Sequence, residues 1–231
     1  KKNAIVQPGQ AIWSSLETET TIQRGEATLK PLYLPDRLDF SLPATAVCLL
    51  TDDGSSVVAQ LASRLTARGW KVVVISFPET VLAPSPPDPA IDRVLLDDVS
   101  EAHLQQQLAT ISQTYGSIAA FIHLHPKFDR QLQDESATAI LKHVFLMAKY
   151  LKRSLTEPAP FGRSAFLTVT RLDGQFGLKS ASLTSADIIS GGLFGLTKAL
   201  NLEWQQVFCR AVDIAPDRTA DTVMQTVLQE L

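Results

Sequence analysis

The sequence of 231 residues has little cysteine, no basic tract and no long apolar run. No stretch approaches the ~20 apolar residues that a membrane-spanning helix needs, and the first ten residues lack the apolar core of a signal peptide. A net charge of −3 gives no electrostatic reason to expect a nucleic-acid partner. Cys48 and Cys209 fall in or beside apolar segments and are not expected to form a disulfide, so we expect a reducing, cytoplasmic environment.

The sequence also lacks a pattern of metal ligands. His123 and His125 are two residues apart on a predicted strand, so their side chains face the same side. No third ligand accompanies them at a spacing typical of a metal site. We therefore predict no metal site and interpret both histidines as polar residues at the end of a strand.

What the sequence does contain is an alternation of apolar strands and helical segments. The predicted strands cover 46–51, 71–77, 93–96, 117–124, 165–170 and 210–214. Helical spacing of apolar residues predicts helices from about Val57 to Gly69, Ser100 to Tyr115, Glu135 to Leu155, and 191 to 204. This alternation implies right-handed crossovers and predicts an α/β fold, a Rossmann-like doubly wound parallel sheet with strand order 3-2-1-4-5-6.

Outside this alternation, three segments are predicted from composition. Residues 1–28 are polar and are interpreted as a linker or peripheral segment, which leaves 29–231 as the domain. A short strand is predicted for 27–34. Residues 83–90 contain four prolines and are predicted to form an extended surface loop.

The last third of the chain resembles the catalytic end of the short-chain dehydrogenase/reductase superfamily, with the catalytic residues replaced. In active members a Tyr and a Lys, four residues apart, lie on the helix before a segment like GLFGLTKAL, and the aligned positions here are Ala186 and Ser190. None of Tyr33, Tyr115 and Tyr150 has a Lys four residues later. Hydride transfer to or from a carbonyl needs such a proton donor, so the resemblance implies the fold without the chemistry.

The phosphate-binding loop of that superfamily, TGxxxGxG, corresponds to Thr51–Val58. Its three glycine positions carry Asp52, Ser56 and Val58, whose side chains would obstruct a pyrophosphate. Asp52 and Asp53 would also place two carboxylates beside the phosphate charges. We interpret these two residues as caps of the following helix and predict no binding of NAD(P) in the usual mode.

Further positions agree with that interpretation. The second strand ends at 77–79 without a Lys or Arg to receive a 2′-phosphate, and Pro126 replaces a glycine that lets the cofactor lie close. Asp98 matches an adenine-contacting Asp of the superfamily, but a helix N-terminal acid is an equally good interpretation. Lys142 matches a catalytic Lys of polyketide ketoreductases in position, and we interpret it as an exposed helix residue.

Four segments in order carry a narrower resemblance: LKPLYLP (29–35), FLTVTR (166–171), GLTKALNLEW (195–204) and AVDI (211–214). Together they are similar to the non-catalytic structural subdomain of type I polyketide synthase ketoreductases. In those enzymes this degenerate copy of the fold precedes a catalytic copy. The segments TDDG, VTRLDG and LNLEW resemble sequences of the iterative synthases that make bacterial polyunsaturated or long-chain hydroxy lipids.

The resemblance implies that the chain is a piece of a multidomain synthase. It would have no catalytic, cofactor-binding or metal-binding residues and would support an adjacent catalytic subdomain, which binds NADPH and reduces a β-ketoacyl group. The implied partners are that subdomain and an acyl carrier protein. Two alternatives stay open: a stand-alone pseudo-reductase that senses a nucleotide or partner, and a divergent active reductase.

Two structural expectations follow from this interpretation. Arg171 is expected to make a charge-assisted hydrogen bond to Asp173 or to a carboxylate across the cleft. Three apolar elements are expected to include an interface with the catalytic copy: the strand 27–34, the long helix and the helix 191–204. The apolar residues that suggest this are Ile140, Leu141, Phe145, Leu146, Leu151, Leu193, Phe194, Leu196 and Trp204.

Overall fold

The structure is a computed structural model that describes residues 28–30, 42–43, 45–128, 134–157, 163–179 and 183–231. The chain divides into two compact units, Lys1–Pro31 and Leu32–Leu231. Only residues 28–30 of the first unit are described; they are exposed and belong to no strand. The rest of the strand predicted for 27–34 lies outside the described residues. The predicted boundary after residue 28 stays a prediction.

The described residues of the second unit form six strands and six helices. In chain order they are β1 (Val47–Thr51), α1 (Ser56–Ala67), β2 (Lys71–Ser76), β3 (Asp92–Leu95), α2 (Glu101–Tyr115), β4 (Ile118–Leu124), α3 (Asp134–Thr156), β5 (Ser164–Thr170), α4 (Ser185–Ser190), α5 (Gly192–Glu203), β6 (Val207–Asp213) and α6 (Ala220–Glu230). Every strand pairing is parallel, and the order is β3-β2-β1-β4-β5-β6. The predicted doubly wound Rossmann-like sheet is confirmed.

The sheet separates two apolar clusters. One contains side chains of α2, α3 and α5, and the other contains side chains of α1 and α6. β1, β4 and β5 are buried along their whole length because helices cover both faces. The carboxyl ends of all strands therefore meet at one edge of the sheet, which is where ligands bind in open α/β folds.

The six strands and four helices predicted for the sheet and its flanks are present, together with two helices that are not predicted. Ser100 caps α2 and Gly116 follows it, as predicted. The last strand begins earlier than predicted, at Val207. Helix α4 lies in a segment for which no helix is predicted. Helix α6 is also unpredicted, although Thr219 caps it and its apolar residues have helical spacing.

Candidate functional site

A buried ion pair lies at the carboxyl end of β1, where a dinucleotide phosphate would rest in a nucleotide-binding relative of this fold. Arg93 Nη1 on β3 lies 2.9 Å from Asp52 Oδ2, with side chains 18% and 1% exposed. The same carboxylate oxygen accepts hydrogen bonds from Ser76 Oγ at 2.8 Å and from Ser85 N at 3.0 Å. Arg93 also donates to the carbonyl and hydroxyl oxygens of Ser85, both at 2.9 Å. We call Asp52, Ser76, Ser85 and Arg93 the charged clamp.

The charged clamp holds the proline-rich loop against the turn after β1. Gly54 has a φ of +75°, and a Cβ on it would lie 2.9 Å from the carbonyl oxygen of Ala83. A glycine at such a turn lets a backbone or a phosphate approach closely. Here the group that approaches is a carbonyl of the chain itself. The prediction of a surface loop over 83–90 is wrong at Ser85, which is buried.

Two interpretations of this turn need correction. Ser55, and not Asp52 or Asp53, caps α1 by accepting a hydrogen bond from Val57 N. Asp53 instead bonds the Ser55 backbone and hydroxyl, and burial raises its pKa while those hydrogen bonds lower it. Val58 does not obstruct the cleft, because its side chain lies in the apolar core under α1.

A chain of buried side chains, which we call the histidine relay, runs from β1 to α4. Thr51 Oγ1 lies 2.9 Å from His123 Nδ1, and His123 Nε2 lies 3.1 Å from His125 Nδ1. His125 Nε2 lies 2.6 Å from Ser190 Oγ. The relay thus ends at Ser190, the position predicted from the sequence to correspond to the Lys of active reductases.

One assignment of the hydrogens gives every ring nitrogen and hydroxyl oxygen of the histidine relay a hydrogen-bond partner. Ser190 Oγ donates to the Ala186 carbonyl at 2.6 Å, so it accepts from His125 Nε2–H. His125 Nδ1 then accepts from His123 Nε2–H, and His123 Nδ1 accepts from the Thr51 hydroxyl. Thr51 Oγ1 accepts in turn from Leu124 N at 3.0 Å. In this assignment both rings are neutral and each ring nitrogen has a partner.

Burial keeps both relay rings neutral. It lowers the pKa of His125 to about 3 and the pKa of His123 well below its usual value, the latter also through the neighbouring His125. The interpretation of both histidines as simple polar strand ends is therefore incomplete, since each is fully paired. In the described part of the chain, no group of three His, Cys, Asp or Glu side chains could hold a metal ion.

The loop after β5, where active reductases carry an orienting Ser, is organised by Asp213 at the end of β6. Its carboxylate accepts hydrogen bonds from Thr170 Oγ1 at 2.8 Å, Leu172 N at 2.9 Å, Asp173 N at 3.3 Å and Phe176 N at 2.8 Å. These bonds hold Phe176 at a φ of +57°, a conformation uncommon outside glycine. The Asp of the AVDI segment thus has a structural role in this loop.

Arg171 lies partly buried after β5, and the hydrogen bond predicted for its side chain is absent at Nε. Its Nε is buried without a hydrogen-bond partner, and the Asp173 carboxylate accepts hydrogen bonds from the backbone of Gln175, Gly177 and Lys179. Burial lowers the pKa of Arg171, while the charges of Asp53 and Asp213 raise it. The carboxylates of Asp53 and Asp213 therefore attract the charge of Arg171.

The remaining predicted positions lie on the surface or in the core. Asp98 accepts a hydrogen bond from Ser100 N at 2.6 Å, and hydrogen bonding to Ser100 lowers its pKa. Lys142 is exposed on α3. The Tyr150 hydroxyl donates to Glu101 Oε1 at 2.5 Å. Cys48 and Cys209 are buried free thiols.

Most of the predicted interface residues belong to the core of this unit. The buried ones are Ile140, Leu146, Leu151, Leu193 and Trp204. Leu141, Phe194 and Leu196 are half-buried, whereas Phe145 on α3 is 56% exposed. Ile188 on α4 and Leu202 on α5, which are not among the predicted interface residues, are 67% and 74% exposed.

Among the described residues, no helix is long and apolar enough to cross a membrane. No protein-family model matches the sequence. The chain is 31% identical over 203 residues to a polyunsaturated fatty acid synthase polypeptide of Thraustochytrium sp. (strain ATCC 26185 / S-3). That match covers 85% of this chain and only 7% of the synthase polypeptide.

Solved structures of short-chain dehydrogenases/reductases share the fold. A putative family member from Aeromonas hydrophila has a TM-score of 0.59 at 16% identity, covering 79% of this chain and 90% of that one. A SCOR enzyme from Clostridium thermocellum has a TM-score of 0.62 at 13% identity, covering 78% and 84% of the two chains. The chain is therefore a domain with a short-chain dehydrogenase/reductase-like fold.

Proposed function

We propose that this chain is a non-catalytic structural subdomain. It supports the NADPH-dependent β-ketoacyl reductase of a multidomain polyketide or polyunsaturated-fatty-acid synthase. The observation that carries the proposal is that the chain's own residues fill both halves of the cleft. The charged clamp takes up the phosphate-binding turn, and the histidine relay takes up the end where a catalytic Lys would lie.

The charged clamp disfavours binding of a dinucleotide cofactor. A dinucleotide pyrophosphate would have to displace Ala83 and Ser85 from the turn and then lie beside Asp52. Displacing the loop would strip hydrogen bonds from a buried carboxylate, and the two phosphate charges would then meet that carboxylate.

The residues at the other end of the cleft disfavour catalysis. Reduction of a ketone needs a proton donor near the hydride acceptor. Ala186 and Ser190 occupy the positions of the Tyr and Lys, and the Ser190 hydroxyl is already committed to His125 and Ala186. The hydroxyl at the position of the Lys is thus used within the chain.

A supporting subdomain needs a surface for its catalytic partner. We place that surface on α3, α4 and α5, because Phe145, Ile188 and Leu202 are large apolar side chains left exposed there. The catalytic ketoreductase subdomain of the same synthase is the proposed partner, and an acyl carrier protein is a transient second one.

The test is co-expression of this chain with the catalytic segment of its synthase. The two should co-purify as a complex that buries more than ~1,000 Å² and that reduces β-ketoacyl substrates with NADPH. Phe145→Ser should weaken the complex at least tenfold. The matched control is Leu95→Ser, which removes a similarly exposed apolar side chain from the edge strand β3.

Failure of the two segments to associate, with the catalytic segment fully active alone, would contradict the proposal. Equal weakening by Phe145→Ser and Leu95→Ser would leave the partnership standing and overturn the choice of surface.

A further inference from the structure

The two edge strands of the sheet differ in length and in what precedes them. β3 has four residues and follows the proline-rich loop, whereas β6 has seven residues that pair with β5 without a bulge. Short length, prolines and bulges are three means by which edge strands avoid pairing with another chain. β6 has none of these three, so its outer edge is the one suited to accept a further strand.

The backbone of β6 presents alternate residues to that outer edge. Ile214 N donates to the Thr170 carbonyl oxygen at 3.0 Å, and Thr170 is the register partner of Asp213. In a parallel pair the residues on either side of such a partner bond the neighbouring strand, and the alternate residues point away from it. The backbone groups of Cys209, Ala211 and Asp213 therefore point outward. In the described part of the chain, β5 is the only strand that pairs with β6.

Two arginines converge on one aromatic ring beside this edge. The guanidinium carbons of Arg163 and Arg210 lie 5.9 Å and 5.3 Å from the centroid of the Phe208 ring. Arg210 Nε lies 3.2 Å from Glu230 Oε2, whereas no described carboxylate forms an ion pair with Arg163. Asp213, at the far end of β6, is engaged by the loop after β5. Two cations for one anion leave the surroundings of the ring with a net positive charge.

The side chains of β6 complete a surface for an extended peptide. Phe208 and Arg210 face the side of the sheet that α1 and α6 cover, and Ala211, on the other side, is small and half-buried. An added strand would place every second side chain beside the guanidinium groups and the others beside Ala211. A peptide that alternates acidic and apolar residues fits this arrangement, because opposite charges on adjacent strands attract.

We propose that the outer edge of β6 binds an extended acidic segment of a partner polypeptide as an additional strand of the sheet. Backbone hydrogen bonds to Cys209, Ala211 and Asp213 supply the attachment, and Arg163 and Arg210 select acidic side chains. This surface lies on other elements than α3, α4 and α5, so the inference does not depend on the proposed catalytic partner.

A second copy of the chain fits this edge less well. Pairing of β6 with its own copy about a two-fold axis is antiparallel. In the registers centred on Cys209, Arg210 or Ala211, Arg210 then lies opposite or diagonal to the same residue of the copy. Like charges at such positions destabilise a strand pair, which favours an acidic segment over the same strand.

Fluorescence anisotropy with the whole chain tests the binding. The probe is a labelled peptide as long as β6, seven residues, in which valine alternates with glutamate. The control probe carries lysine in place of glutamate. We expect the acidic peptide to bind with a Kd below about 1 mM and the basic peptide to bind at least tenfold more weakly, roughly.

Substitutions separate the role of the charges from that of the backbone. Arg163→Gln should weaken binding of the acidic peptide severalfold, because it removes an exposed guanidinium beside the edge. Its matched control is Arg153→Gln on α3, which also removes an exposed guanidinium and should leave binding unchanged. Ala211→Pro removes an outward N–H but no bond to β5, so it should abolish binding. Ala211→Ser keeps that N–H and should bind as the unmodified chain does.

Amide hydrogen exchange reports on the edge itself. In the free chain the outward amides of Cys209 and Ala211 should exchange faster than the inward amides of Arg210 and Val212, which bond β5. Saturating acidic peptide should slow the two outward amides at least tenfold, roughly, because each gains a hydrogen bond. The amides of β3, the other edge strand, should not change.

The proposal is overturned if neither peptide binds below about 1 mM, or if both bind equally well. It is also overturned if folded Ala211→Pro binds as before, or if the chain forms a dimer that Ala211→Pro converts to a monomer. Should Ala211→Pro not fold, Arg163→Gln and the protection of the Cys209 and Ala211 amides still decide.

Discussion

The two halves of the cleft bury polar groups in opposite ways. The charged clamp pairs a carboxylate with a guanidinium, whereas the histidine relay keeps two rings neutral in a row of hydrogen bonds. The two arrangements begin at adjacent residues, Asp52 and Thr51. Polar side chains can thus fill a cleft either as an ion pair or as neutral, hydrogen-bonded rings. Loss of the ion pair should lower stability at neutral pH, whereas the neutral rings should make stability depend on pH.

The largest expected effect comes from breaking the charged clamp. Arg93→Ala should lower the free energy of unfolding by about 3–5 kcal/mol, because it leaves the buried Asp52 carboxylate without its cation. Urea denaturation measures this loss. The control is Arg153→Ala, which breaks an exposed pair with Glu157 and should change stability little. Equal effects of the two variants would show that the clamp is not a buried ion pair.

The histidine relay should instead make stability depend on pH. Both rings have a lower pKa in the folded chain than in the unfolded one, so the unfolded chain binds more protons below pH 6.5. Their contribution is complete above pH 6.5 and is lost as the pH falls toward 3. From pH 7 to pH 5.5 the free energy of unfolding should fall by about 2–3 kcal/mol.

Urea denaturation at the two pH values checks this loss, and His125→Gln should reduce it by about half. A stability that does not change between pH 7 and pH 5.5 would contradict the neutral assignment of the rings.

The sequence predicted the sheet better than the site. Apolar runs such as AVCLLT and KVVVISF mark central strands, and their alternation with helices determined the strand order. The helix α4 was missed because its buried face consists of Ala186 and Ser190, which give no apolar period. In α6 a signal was present, since Val223, Met224 and Val227 have helical spacing.

The contacts of the site were not predictable for a different reason. Asp52 and Arg93 are 41 residues apart, and His125 and Ser190 are 65 apart. Only the three-dimensional fold brings them together. The Arg in the short strand RVLL was nevertheless an available signal, because a charged residue in a strand next to an apolar core usually has a buried partner.

The central claim is that the chain's own residues occupy the dinucleotide site, and calorimetric titration with NADPH tests it most directly. We expect no binding heat up to about 1 mM NADPH, so that any affinity is weaker than roughly −4 kcal/mol, while the catalytic segment of the synthase binds under the same conditions. A micromolar isotherm with this chain alone would overturn the claim and favour a nucleotide-sensing role.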